Sequence, residues 1–179
     1  MNTVTNIKFL ISLLESSSIK SYPEILKSIQ FDNGELEAYQ TWESNSYTRN
    51  CLASNEKFEL ILLCWDRYSS TPIHNHGGEE CWVYQLQGSL KEKRFDSSEH
   101  VSDLKLVQEL ELSPGKLTYM NDGLGYHSIE NNSDIRALTL HVYASPIKVC
   151  QVLNLENQEF EDKSLSYDTI HDKSLVVTI

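Results

Sequence analysis

Ser70-Thr71-Pro72-Ile73-His74-Asn75-His76-Gly77-Gly78-Glu79-Glu80-Cys81 is the stretch around which the chain is organised. Residues i and i+2 of an extended strand point to the same face, so His74 and His76 project together. Two imidazoles aimed at one point suit a metal, and imidazole serves iron, zinc, copper and nickel alike. Two surface histidines in a polar loop are the plain alternative. The choice between them rests on what surrounds the stretch.

On both sides of it, from Tyr47 onward, the pattern is one of short strands. They are expected at 47–53, 58–65, 73–76, 81–86, 89–95, 104–112, 116–121, 127–130, 136–143, 149–155 and 175–179. Breakers such as Gly77-Gly78, Gly88, Pro114-Gly115 and Asn121-Asp122-Gly123 separate them. Many short strands without alternating helices indicate a sandwich or barrel. The stretch 58–65 is apolar enough to be a central strand, and Trp65 and Trp82 read as core. Before Tyr47 the period is helical: Ile7, Leu10, Ile11 and Leu14 form one stripe. Pro23 opens a second short helix to about Gln30, Asp32-Asn33-Gly34 is a turn, and 35–42 reads as a third helix. The expected fold is mainly β, a double-sheet (jelly-roll) barrel with short N-terminal helices packed outside. One domain spans 1–179, helical over 1–44 and β over 45–179. The acidic stretch 154–174 reads as a covering arm.

With 179 residues the chain is long enough to bury a core without disulfides. Its net charge of −11 argues against nucleic acid, which needs a basic stripe, and against anionic membrane surfaces. The apolar run Phe9–Leu14 is too short to span a bilayer. It lacks the flanks of a signal peptide, so a cytoplasmic location is expected. Cys51, Cys64, Cys81 and Cys150 are scattered without a CxxC, as reduced thiols would be.

A metal held inside such a barrel needs a third ligand. His127, which follows Gly123-Leu124-Gly125 and opens a strand, is the best candidate. A His-x-His, a strand, a glycine and then a distant histidine is the cupin order. Cupins commonly carry a glutamate ligand near the place of Cys81, and Glu80 stands beside it. Strict alternation would put Glu80 on the face of His74 and His76, but Gly77-Gly78 can reset the register. His141 and Tyr143 are again two apart and can face one cavity.

The ordered set Arg49, His74, His76, Cys81, His127, His141 and Tyr143 resembles the cysteine dioxygenase family of cupin thiol dioxygenases. The likeness extends over roughly residues 45–151. It runs through Tyr47-Thr48-Arg49-Asn50, Cys64-Trp65, residues 70–81, Leu86-Gln87-Gly88-Ser89-Leu90-Lys91-Glu92, residues 119–131 and Leu140-His141-Val142-Tyr143. The resemblance implies Fe(II) on His74, His76 and His127, with a small thiol and O2 as reactants. It implies Arg49 as partner of the substrate carboxylate, for which its planar fork is suited, and Tyr47 beside that pocket. It implies His141 and Tyr143 at bound oxygen, a Cys81–Tyr143 thioether, Cys150 at the entrance, and a monomer. L-Cysteine, oxidised to the sulfinic acid, is the favoured substrate, because many 3-mercaptopropionate enzymes of this kind carry glutamine in place of Arg49. A 3-mercaptopropionate dioxygenase and a non-catalytic cupin that only binds a small ligand are the alternatives. Three departures stand out. Thr139 replaces a serine and keeps its hydroxyl, Glu80 replaces a histidine, and one residue is missing between His127 and His141.

Overall fold

The computed structural model describes residues 3–98 and 101–171; the strand expected at 175–179 lies outside them. The strands are β1 (Tyr47–Ser54), β2 (Glu59–Trp65), β3 (Cys81–Gln87), β4 (Leu90–Phe95), β5 (Leu106–Leu112) and β6 (Leu117–Met120). They continue with β7 (Tyr126–Glu130), β8 (Ala137–Tyr143), β9 (Val149–Asn154), β10 (Glu159–Ser164) and β11 (Thr169–Ile170). One six-stranded sheet runs β11-β1-β2-β8-β3-β6. Against it lie a β5-β4-β7 sheet and the β9–β10 pair.

The segment around His74 joins those two smaller pieces. His74 and His127 exchange backbone hydrogen bonds of 2.9 Å in both directions. On the other side the Leu153 amide donates to the Ile73 carbonyl at 2.8 Å. The strand expected at 73–76 is therefore paired on both flanks, but as isolated bridges and not as a regular ladder.

The large sheet is covered on both faces, as the continuous apolar run of β2 requires. Leu60, Leu62, Leu138, Leu140, Trp82 and Tyr84 meet the N-terminal helices. Ile61, Leu63, Trp65, Cys81, Val83 and Tyr143 face the barrel interior. Outside, α1 (Ile7–Ser16) begins at Asn6, whose side chain accepts from the Phe9 amide at 2.9 Å. It buries Ile7, Leu10, Ile11 and Leu14, the stripe read from the sequence. Short α2 (Tyr22–Lys27) has Pro23 in its first turn and sets Tyr22 edge-on to Phe58 and Trp82. The third helix shrinks to a 3-10 turn at Glu37–Tyr39. Glu35 is occupied elsewhere, accepting from the Ile7 amide at 2.8 Å at the start of α1. Among the described residues no helix is long and apolar enough to cross a membrane. All four cysteines are free and buried.

Candidate metal centre

Two glycine turns deliver the histidines. Gly77 has φ +59°, and a Cβ there would lie 2.1 Å from the Val149 carbonyl oxygen. Gly125 has φ +93°, with a Cβ position 2.2 Å from the Phe95 carbonyl oxygen. Only glycine combines a positive φ with such close approach. Asp122 then clamps the first turn, one carboxylate oxygen accepting from the His76 amide and the other from the Gly78 amide, both at 2.7 Å.

His74, His76 and His127 come together, with their ligand atoms all within 4.8 Å of one another. No acidic or cysteine side chain joins them among the described residues. The Nε2 atoms of His76 and His127 are 3.0 Å apart. Two nitrogens at right angles around one cation at ~2.1 Å would be separated by about that distance. The ring orientations agree. His74 Nδ1 lies 2.9 Å from the Pro72 carbonyl, which can only accept, so Nδ1 holds the proton and Nε2 is a free lone pair. His127 Nδ1 lies 2.9 Å from Glu92 Oε1, a contact that turns its Nε2 toward His76. Burial, then the neighbouring His127, pushes the His74 pKa down to about 3. Burial and the facing histidines hold His76 well below the ordinary imidazole range. A convergent set of three imidazole nitrogens fits a divalent first-row metal.

Glu92 escaped the sequence reading as a functional residue. It is fully buried on the inward face of β4. Besides His127 it accepts from Arg94 Nε at 3.1 Å and from the Thr118 hydroxyl at 2.8 Å. Arg94 also donates to the Tyr119 carbonyl at 2.8 Å and to Thr118. Burial works to raise Glu92, but His127 and Arg94 outweigh it and hold the carboxyl below its ordinary range. The available signal was alternation: Leu90, Glu92 and Arg94 share one face of a strand, opposite Lys91 and Lys93. In the sequence Asp122 shows only as part of the turn Asn121-Asp122-Gly123.

The rest of the predicted set lines one cavity with the triad: Tyr47, Arg49, His141, Tyr143 and Cys150. Arg49 gives Nε to the Ser166 carbonyl at 3.2 Å, while its Nη2 is buried without a hydrogen-bond partner. Burial works against its charge, but Tyr143, Glu59 and Tyr47 outweigh that and raise its pKa. Tyr47 leans on Trp65, ring centroids 5.1 Å apart. Trp65 donates to the Thr139 hydroxyl at 2.9 Å, and Thr139 lies 3.0 Å from His141 Nε2. The hydroxyl kept at position 139 thus ties His141 in place. Cys81 sits behind the cavity wall, 4.0 Å from His141 Nδ1 and directly across the β3–β8 ladder from Tyr143. Burial first, then Cys81, raises the Tyr143 phenol well above its ordinary pKa. Glu80 points elsewhere, accepting from the Tyr119 hydroxyl at 2.5 Å. The turn resets the register, so alternation carried across it misplaces Glu80.

A family model described as "Cysteine dioxygenase type I" matches residues 3–155. Relatives named "Cysteine dioxygenase type 1" include those of Homo sapiens and Danio rerio. The human protein is 31% identical over 160 residues, covering 87% of this chain and 78% of that protein. The Danio rerio protein is 32% identical over 154 residues, covering 83% and 77%. Solved structures share the fold at low identity. One is an oxalate decarboxylase from Lactobacillus farciminis, 18% identical, TM-score 0.51, covering 75% of this chain and 37% of that one. Another is a Klebsiella pneumoniae protein with a double-stranded β-helix domain, 11% identical, TM-score 0.50, covering 61% and 80%. The barrel is therefore of the cupin type, and with its sequence matched over most of its length the chain belongs to the cysteine dioxygenase type I family.

Proposed function

We propose that this protein is an iron-dependent thiol dioxygenase that adds both atoms of O2 to the sulfur of L-cysteine, giving cysteine sulfinic acid. The observation that carries the reading is Arg49: a buried guanidinium nitrogen without a partner, in the same cavity as three convergent histidines. Bound Fe(II) would supply the redox chemistry by which dioxygen reacts with sulfur. Neutral imidazoles leave its double charge intact, which favours a thiolate over a thiol.

The chain's own groups do the rest. Arg49 takes the substrate carboxylate as a charge-assisted pair and fixes the direction of the thiol arm. His74, His76 and His127, which line the same cavity, would hold the metal. Tyr143 keeps its proton at neutral pH and can donate it as a hydrogen bond to oxygen. His141, held by Thr139, supports it from the same strand. Leu63, Ile129 and Ile147 wall the cavity with apolar surface and limit water. Cys81 faces Tyr143 as a thioether would require. The free cysteines support a reducing, cytoplasmic setting, and we take the chain to act as a monomeric single domain.

Oxygen uptake by Fe(II)-loaded protein tests the proposal, with L-cysteine and 3-mercaptopropionate run in parallel and products identified by mass. Uptake matched by cysteine sulfinate is expected. Faster uptake with 3-mercaptopropionate would reassign the substrate. Iron-loaded protein that binds either thiol without consuming oxygen would be a binding module.

A further inference from the structure

The family match ends at residue 155, yet the segment that follows closes on one functional residue. Asp168 Oδ2 accepts from the Arg49 amide at 2.7 Å, and the Asp168 amide donates to the Arg49 carbonyl at 2.8 Å. Two residues earlier, the Ser166 carbonyl accepts from Arg49 Nε. Tyr167, between them, turns inward and donates its phenol to Glu59. Strand β11 then runs parallel to β1 with Thr169 beside Asn50, and the Thr169 hydroxyl donates to Asn50 Oδ1 at 2.7 Å.

Both backbone polar groups of Arg49 and one edge of its guanidinium are thus held by a single strap. A committed Nε fixes the plane of the fork and leaves the far nitrogens for a ligand. Glu59 is a fully buried carboxyl whose charge is felt at Arg49. It would be the natural internal competitor for that fork. Tyr167 occupies one of its oxygens, and no ion pair among the described residues includes Arg49.

We propose that the strap 165–170 is a positioning device for Arg49, which it presets to receive a small carboxylate while Tyr167 keeps Glu59 occupied. Presetting lowers the ordering cost that binding would otherwise bear. The inference rests on the reading that Arg49 receives the substrate carboxylate.

The test is anaerobic calorimetry on Fe(II)-loaded full-length protein with two probes. L-Cysteine carries the carboxylate; cysteamine has the same thiol and amine without it. Asp168→Ala and Tyr167→Phe should each raise the Kd of L-cysteine about tenfold, the scale of one misplaced charge-assisted bond. Cysteamine should bind as before, and iron content should not change. Asp168→Asn keeps an acceptor and should recover most of the loss. Arg49→Ala sets the scale by abolishing the preference. An unchanged preference in both variants would overturn the inference, and so would equal weakening of both probes, which signals general loosening. Parent protein with no preference for L-cysteine would overturn it as well. If the preference behaves as expected but no thiol is oxygenated in air, the dioxygenase reading falls and the strap inference stands.

Discussion

Replacing Glu92 with glutamine keeps the shape of a buried side chain and removes its charge. In the parent, Glu92 Oε1 receives His127 Nδ1 at 2.9 Å, and the same carboxylate balances Arg94 and accepts from Thr118. Glutamine can still offer His127 a neutral acceptor. The bond then falls from charge-assisted to ordinary strength, a difference of about 1.4 kcal/mol. That is about tenfold in metal affinity, within the ~10–100-fold expected when an outer partner of a ligating histidine is lost. The amide nitrogen must also face Arg94 or Thr118, leaving a nearly buried guanidinium without its counter-charge. Breaking a buried pair costs about 3 kcal/mol, or about 9 °C in Tm for a chain of this size. Anaerobic chelator competition for Fe(II) and thermal unfolding of metal-free protein read the two effects separately. The expected result is a weaker Fe(II) Kd together with a lower metal-free Tm. A lower Tm with Fe(II) affinity within twofold of the parent would refute the orienting role and leave Glu92 a core-packing group.

Arg49→Ala should weaken L-cysteine binding by about 100-fold, the scale of a charged fork, with iron content unchanged by metal analysis; lost iron would mean Arg49 is misplaced. Gly77→Ala puts a Cβ 2.1 Å from the Val149 carbonyl oxygen at a positive φ. It should cost about 2 kcal/mol in urea unfolding, and unchanged stability would show that the turn can move away. Glu59 carries the pH prediction. Burial raises its pKa despite Tyr167 and Arg49. A carboxyl raised in the fold binds its proton more tightly folded than unfolded. Its stability contribution is therefore full below the unfolded pKa and lost as pH rises through the folded one. Glu59→Gln removes that loss, so its Tm relative to the parent should climb from pH 4 to pH 7; a constant difference would contradict the shift.

The triad was legible because its spacing is mechanical. His74-x-His76 and His141-x-Tyr143 each use the two-residue period of a strand, and His127 follows a glycine turn as His76 precedes one. The helix stripe Ile7, Leu10, Ile11 and Leu14 was legible for the same reason with a different period. What was not legible depends on distant partners. Thr169 and Ile170 have no strand pattern of their own; they pair because β1 has a free edge beside Asn50 and Cys51. The helix read at 35–42 shortens to the 3-10 turn Glu37–Tyr39, and the Glu35 side chain instead caps the start of α1 at the Ile7 amide. Glu92 and Arg94 look like ordinary surface charges until β4 is placed, since charged residues are seldom fully buried. Glu80 and Cys81 could not be separated across two glycines, both of which take positive φ.

Fold and site share one register on β8. Leu138, Leu140 and Val142 face the helices, while Thr139, His141 and Tyr143 face the barrel, where the ladder sets His141 beside Val83 and Tyr143 beside Cys81. A slip of one residue would exchange the two sets and turn His141 and Tyr143 toward the helices. It would also bury two polar side chains against α1 and α2 without partners, which is costly. The N-terminal helices, which among the described residues contribute none to the cavity lining, therefore enforce the site's geometry by accepting only the leucine face of β8. The leucine face that meets the α1 stripe and the pairing of Cys81 with Tyr143 are two consequences of the same alternation along β8.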